Sequence, residues 1–310
     1  MDVQPSARNP APAEIHPGTR MGAVALTVAN LERQLRFYQE VLGLRLHRRV
    51  GPTAAVGAGG EDLLRLTENP NAPRLRGATG LYHFAVLVPD RKELARVLAR
   101  LYSSGYRHHP TDHVMTETTY LSDPEGNGIE IYADTPERGT WGVFNGTFGA
   151  RTSDGAITSG RDPLDVESLL SLLGAEDRID VPMPAQTKIG HVHLHVSRLA
   201  PAVRFYHEVV GFQVMSSLPE AGAAFVSAGG YHHHLGLNTW LGEGAPTPPP
   251  GVLGLLYYTI VVPTRGELDR IGDRLDRAGD SLLRSDDGLL VRDPSSNRVW
   301  ITDRADSSPE

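Results

Sequence analysis

The sequence predicts an α+β protein made of four copies of one βαβββ module, arranged in two domains. Three observations predict it. Met21–Leu44 (MGAVALTVANLERQLRFYQEVLGL) and Ile189–Phe212 (IGHVHLHVSRLAPAVRFYHEVVGF) align without a gap, sharing Arg36/Arg204, Phe37/Phe205, Tyr38/Tyr206, Glu40/Glu208, Val41/Val209 and Gly43/Gly211. Gly80–Leu94 (GLYHFAVLVPDRKEL) matches Gly254–Leu268 (GLLYYTIVVPTRGEL), and each leads through a helical stretch to an Asp-Pro turn, at Asp123 and Asp293. Within every unit an alternating strand gives way to apolar residues at helical spacing, then to short strands split by Gly and Asp turns.

In chain order, residues 1–18 hold four prolines and no continuous apolar run. They read as a disordered tail, neither a signal peptide nor an anchor. Modules 1 and 2 form a first domain over residues 19–136, and modules 3 and 4 a second over 187–305. Residues 137–186 between them are rich in Gly, Asp and Pro and read as a linker with one amphipathic helix, starting at Asp162-Pro163 and stopping at Gly174. Gly242–Gly251 (GEGAPTPPPG) separates modules 3 and 4 as a stiff loop, either a lid over a pocket or a plain connector.

Composition narrows the function. A net charge of -7 and a pI near 6.0 disfavour nucleic acid or an acidic membrane as partner, since either selects a basic face. No apolar run approaches the ~20 residues of a membrane helix, which leaves a cytoplasmic protein acting on a small molecule. Cysteine is absent, so any metal must be held by His, carboxylate or carbonyl oxygen.

Strand periodicity then locates the chemistry. Period two puts His191, His193 and His195 on one face of one strand. In the module pair 2/4, His83 stands where module 4 has Tyr257, and Glu130 where it has Trp300. In the pair 1/3, His191 stands opposite Ala23 and His233 opposite Leu63. Only modules 2 and 3 are polar at these positions. His83, Glu130 and His191 together make the two-histidine, one-carboxylate set that binds Fe(II) on one face and leaves positions open for substrate and oxygen. This requires module 2 to pack against module 3, and leaves 1 with 4 as an apolar cup lined by Ala23, Leu63, Tyr257 and Trp300. His193 is the next candidate for the third ligand.

The chain resembles the vicinal oxygen chelate superfamily, and within it the two-domain bacterial catechol 2,3-dioxygenases, the extradiol ring-cleaving group. Thr111–Glu130 (TDHVMTETTYLSDPEGNGIE) carries the likeness: His113, Tyr120, Asp123, Pro124, Gly126 and Glu130 fall in register with the extradiol signature, and Thr119 alone departs, where an apolar residue is expected. A second family feature, a His-His pair on the last strand of the partner module, looks like Tyr231-His232-His233-His234-Leu235. The resemblance implies the glyoxalase/bleomycin-resistance/extradiol dioxygenase fold and a role in aromatic hydrocarbon catabolism. It implies Fe(II) as cofactor, with Mn(II) the alternative, and a small aromatic diol and O2 as partners; a homodimer is left open. His233 would handle protons, with His113 and Tyr120 bonding substrate and oxygen-derived atoms, while His232 and His234 point away from the site. Two other readings stand beside it: a glyoxalase-like metal-dependent isomerase or lyase using Glu130 as base, and a non-catalytic drug-sequestering protein that needs no metal.

Overall fold

The computed structural model describes residues 14–144 and 146–309. Module 1 comprises β1 (Arg20–Val28), α1 (Leu31–Arg36), β2 (Arg45–Val50), β3 (Thr53–Gly57) and β4 (Asp62–Glu68). Module 2 comprises β5 (Gly80–Leu87), α2 (Arg91–Ser103), β6 (His109–Asp112), β7 (Thr116–Ser122) and β8 (Gly128–Asp134). The connecting stretch carries β9 (Gly139–Phe144), β10 (Thr147–Thr152), β11 (Ile157–Thr158), β12 (Asp162–Pro163) and α3 (Val166–Leu170). Module 3 follows as β13 (Lys188–His195), α4 (Leu199–Arg204), β14 (Gln213–Leu218), β15 (Ala223–Ser227) and β16 (Leu235–Asn238), and module 4 as β17 (Gly254–Val261), α5 (Arg265–Ala278), β18 (Leu282–Ser285), β19 (Gly288–Arg292) and β20 (Arg298–Thr302).

Three of the module helices, α1, α2 and α5, begin where a cap residue dictates. Asn30, Asp90 and Thr264 accept the backbone N–H three residues on, which satisfies one of the free donors of a first turn. On α2 the buried residues Leu94, Val97, Leu98 and Leu101 form the stripe that packs on the sheet. No helix among the described residues is long and apolar enough to cross a membrane.

The two sheets do not coincide with the two halves of the chain. One runs β18-β19-β20-β17-β1-β4-β3-β2, joining module 4 to module 1; the other runs β12-β6-β7-β8-β5-β13-β16-β15-β14, joining module 2 to module 3. This is the pairing that the distribution of polar positions requires. The seams are antiparallel, β1 with β17 and β5 with β13. Consecutive modules are tied by a different contact. α1 and α4 each continue into a π-helical turn, Phe37–Val41 and Phe205–Val210, that buries a tyrosine. Tyr38 donates to Asp123 at 3.0 Å and Tyr206 to Asp293 at 3.0 Å. Each aspartate also accepts two backbone N–H groups and an asparagine amide inside its own Asp-Pro turn. Two motifs shared by the repeats, Arg-Phe-Tyr and Asp-Pro, are thus two halves of one latch.

Several expectations change. Residues 1–13 of the expected tail lie outside the described residues, but Ile15 is 4% exposed and its N–H donates to the Gly211 carbonyl at 2.8 Å, so the tail docks from there on. A single isoleucine carries no periodicity, yet it packs in the main core. The linker is more than a helix: β9, β10 and β11 form a separate sheet. Asp162-Pro163 does not start the helix. It pairs with β6, and the helix begins at Val166 under an Asp165 cap and ends at Leu170, short of Gly174. Leu63 lies in the main core rather than in the cup of modules 1 and 4.

Tyr206→Phe leaves the buried Asp293 one donor short and should lower the free energy of unfolding by about 1–3 kcal/mol. An unchanged urea midpoint would show that the latch contributes nothing.

Candidate metal centre and its cavity

The seam between β5 and β13 brings the predicted ligands together. Its register sets His83 opposite His193 and Ala85 opposite His191, while the parallel pairing of β5 with β8 sets Ala85 beside Glu130. Side chains two residues apart share a face, so His83, Glu130 and His191 converge on the same side of the sheet. His83 Nε2 and His191 Nε2 each lie 3.1 Å from Glu130 Oε2 and 3.3 Å from one another. All three residues are buried, and they are the one set of potential ligands found within 4.8 Å of one another among the described residues.

These donors fit a divalent cation. Three positions on one face of an octahedron with bonds of about 2.2 Å stand about 3.1 Å apart, the spacing seen here. Their protonation suits it as well. Burial pushes the His191 imidazole down to about 4 despite the attraction of Glu130, so it is neutral at pH 7. Burial works to raise the Glu130 carboxyl, but the imidazoles of His191 and His83 outweigh it and hold the group well below the usual carboxylate range. A lone pair on the His191 imidazole and the ionised carboxylate of Glu130 are therefore available without deprotonation.

His193 shares the face but stands apart from the three. Its ring lies 5.1 Å from that of His83, and Nε2 is buried without a partner. The residue beside it on β16 is Gly236, where a Cβ would come within 2.7 Å of the imidazole. By the repeat, Gly236 occupies the position that Glu130 holds in module 2 and Trp300 in module 4. The absent side chain is what makes room for His193. His195, at the end of β13, bonds Asn238 Oδ1 at 2.7 Å.

The three donors sit in a cavity of about 340 Å³, lined also by Tyr82, His113, Tyr120, Trp141, Phe148, Arg161, Phe225, His232, His233 and Trp240. His113 and Tyr120 meet at 2.8 Å. His113 Nδ1 faces the Gly160 carbonyl at 2.5 Å, which can only accept, so Nδ1 carries the proton and Nε2 accepts from the Tyr120 hydroxyl. Burial and the neighbouring Glu130 push Tyr120 well above its usual value, which keeps it a donor. Thr119, the departure from the signature, is fully buried and takes the apolar slot.

His233 has its ring centre 4.1 Å from that of His191 and stacks on Trp141. Its support comes from a residue assigned elsewhere on sequence grounds. His232 does not point away: it lines the same cavity, with Nε2 3.3 Å from Asp134 Oδ1 and Nδ1 2.8 Å from His233 Nδ1. The carboxylate fixes the proton on His232 Nε2, which makes His232 Nδ1 the acceptor and His233 Nδ1 the donor. His233 Nε2 is then left with a free lone pair, and burial among the neighbouring imidazoles holds this ring well below its normal value. Both residues belong to the loop before β16 rather than to a strand, and without a strand the period-two rule does not apply. His234 does turn away, to Ser227 Oγ at 2.9 Å.

Sequence reasoning missed the walls. Trp141 and Phe148 come from β9 and β10 of the connecting stretch, and Trp141 Nε1 donates to the His113 carbonyl at 2.9 Å. Their signal was faint: three aromatic residues, Trp141, Phe144 and Phe148, in a stretch otherwise typical of a linker. Gly242–Gly251, the candidate lid, lines a different cavity. In the opposite cup Ala25, Tyr257 and Trp300 pack together, Arg65 stands at the position that Gly236 holds in module 3 and reaches Tyr257 Oη at 3.4 Å, and Trp300 Nε1 donates to Ser307 Oγ at 3.0 Å.

The fold and the donor set define a class, and comparison agrees. The chain belongs to the Glyoxalase/Bleomycin resistance protein/Dioxygenase superfamily, whose family model matches residues 20–131 and 188–301. Among individual proteins it is 45% identical over 291 residues to a Catechol-2,3-dioxygenase of Bacillus subtilis (strain 168), covering 93% of this chain and 98% of that protein. A crystal structure of a putative dioxygenase from Bacillus subtilis subsp. subtilis str. 168 shares the fold at a TM-score of 0.63 and 14% identity, over 94% of this chain and 86% of that one. Glyoxalase I from Zea mays does so at 0.55 and 18%, over 93% and 94%.

Gly236→Ala should force the His193 ring from its place and cost about 1–3 kcal/mol of stability. A denaturation midpoint equal to that of the parent protein would mean the ring has room to move.

Proposed function

We propose that the protein is an Fe(II)-dependent extradiol dioxygenase that opens the ring of a catechol with O2. The observation that carries this reading is the buried set of two imidazoles and one carboxylate at the floor of an aromatic-walled cavity, with the bare Nε2 of His233 beside it. The 45% identity to the Bacillus subtilis Catechol-2,3-dioxygenase supports it over nearly the whole chain.

In this reading His83, Glu130 and His191 hold the metal. Bound there, the metal supplies a Lewis acid for the two vicinal oxygens of the diol and the redox chemistry that allows oxygen to react with the ring. His233 Nε2 takes a proton from the diol, and the pair Asp134 and His232 aligns it for that transfer and shares the charge that results. Tyr120, whose hydroxyl proton is held by His113 Nε2, presents its oxygen as an acceptor to a substrate hydroxyl. Trp141, Phe148 and Phe225 hold the aromatic ring and keep water from the reacting atoms.

Oxygen uptake and formation of a ring-opened semialdehyde from catechol test the reading directly, and turnover of a hemithioacetal without oxygen consumption would replace it with isomerase chemistry. His191→Ala and Glu130→Ala should each weaken metal binding at least about 100-fold, whereas Trp300→Phe in the opposite cup keeps both metal and activity. Metal analysis of the parent protein distinguishes iron from manganese. Retention of full metal by His191→Ala would move the third ligand to His193. His233→Ala should lower kcat by about 10²–10⁴ with metal retained, and an unaltered kcat would remove it from the proton transfer.

A further inference from the structure

A second cavity, of about 400 Å³, lies away from the metal centre, and its charge is of one sign. It opens where the starts of β5 and β17 approach one another, and the loops joining module 1 to 2 and module 3 to 4 line it together. These loops are bonded to each other: Thr79 N–H donates to the Pro246 carbonyl at 2.9 Å and Leu253 N–H to that of Pro73 at 3.1 Å. Three arginines line the cavity, Arg74, Arg292 and Arg298, and no carboxylate residue does.

Two of these arginines are placed against their own electrostatics. Arg292 and Arg298 are directly opposed across the antiparallel pair β19/β20, two positions along the ladder from Leu290↔Trp300 and therefore on the same face as Trp300. Like charges facing one another across a ladder are unfavourable. Neither guanidinium has a carboxylate partner among the described residues; Arg292 reaches only the Ser296 carbonyl, at 3.3 Å, and Arg298 is half-buried. Burial and the Arg292 charge both depress the Arg298 pKa, as expected of a cation lacking its counter-charge. Arg74, the third, keeps one distant contact, 3.7 Å to Glu125. In a chain of net charge -7, three guanidinium groups line one cavity, and of the three only Arg74 has a carboxylate within 4 Å among the described residues.

We propose that this cavity is a binding site for a compact polyanion, a phosphate ester or a small dicarboxylate, whose oxygens bridge Arg292 and Arg298 and are reached by Arg74. Charge-assisted bonds from guanidinium forks to such oxygens are the strong, geometrically specific kind, and one bound dianion removes the repulsion between the opposed pair. None of its lining residues lines the cavity of the candidate metal centre.

Isothermal titration of the metal-loaded protein with glycerol 2-phosphate and with succinate, at constant ionic strength, tests it. At least one of the two should bind at a single site, and the preferred one identifies the source. Arg298→Ala should weaken that binding at least about tenfold, with Arg298→Lys intermediate. Circular dichroism of each variant checks that it is folded, and Arg292→Ala replaces Arg298→Ala if the latter is not. Absence of binding by both ligands to the parent protein, or equal affinity in the alanine variant, overturns the proposal.

Discussion

The antiparallel pairing of β5 with β13 is the constraint on which the site depends. These strands belong to modules separated by the connecting stretch, and they meet in one register, with His83 opposite His193. A slip of one residue would turn the histidines of β13 to the other face of the sheet. Glu130 reaches the same point from the far side of β5 through a parallel pairing. Three ligand atoms about 3 Å apart, each on its own strand, are therefore a consequence of ladder geometry, and the rigidity of the ladder is what holds them ready for a cation.

A second interaction allows that seam to exist. Were consecutive modules also the ones sharing a sheet, the tyrosine and Asp-Pro motifs would duplicate the work of the strands. Instead the strands join module 2 to 3 and 1 to 4, while Tyr38–Asp123 and Tyr206–Asp293 join 1 to 2 and 3 to 4. The four modules close into a ring of alternating contacts. The two cups so formed have diverged in opposite senses. One concentrates imidazole and carboxylate groups; the other carries Trp300 where the first has Glu130, Arg65 in place of Gly236, and the C-terminal Ser307 bonded to both Trp300 and Arg65.

The candidate metal centre would be open without the stretch between the halves. β9 and β10 contribute Trp141 and Phe148 to the cavity wall, and Gly160 fixes the tautomer of His113. That stretch thus sets both the space left for a substrate ring and the direction in which Tyr120 donates. Its sheet is small, and its role is carried by a few aromatic contacts and hydrogen bonds rather than by a core of its own.

Periodicity and repetition alone determined much of this protein. The modules, the pairing of 2 with 3, the three clustered donors and the fit of the His113–Glu130 segment to a known signature are all local patterns, and strand alternation converts sequence spacing into a shared face without further information. Tertiary structure decided the rest. That His232 supports His233, that Gly236 clears space for His193, that Arg65 rather than Leu63 faces the opposite cup, and that Trp141 closes the cavity depend on loops and on register between distant strands. No short-range pattern encodes them, because the energies that select them arise only when residues far apart in the chain are packed against one another.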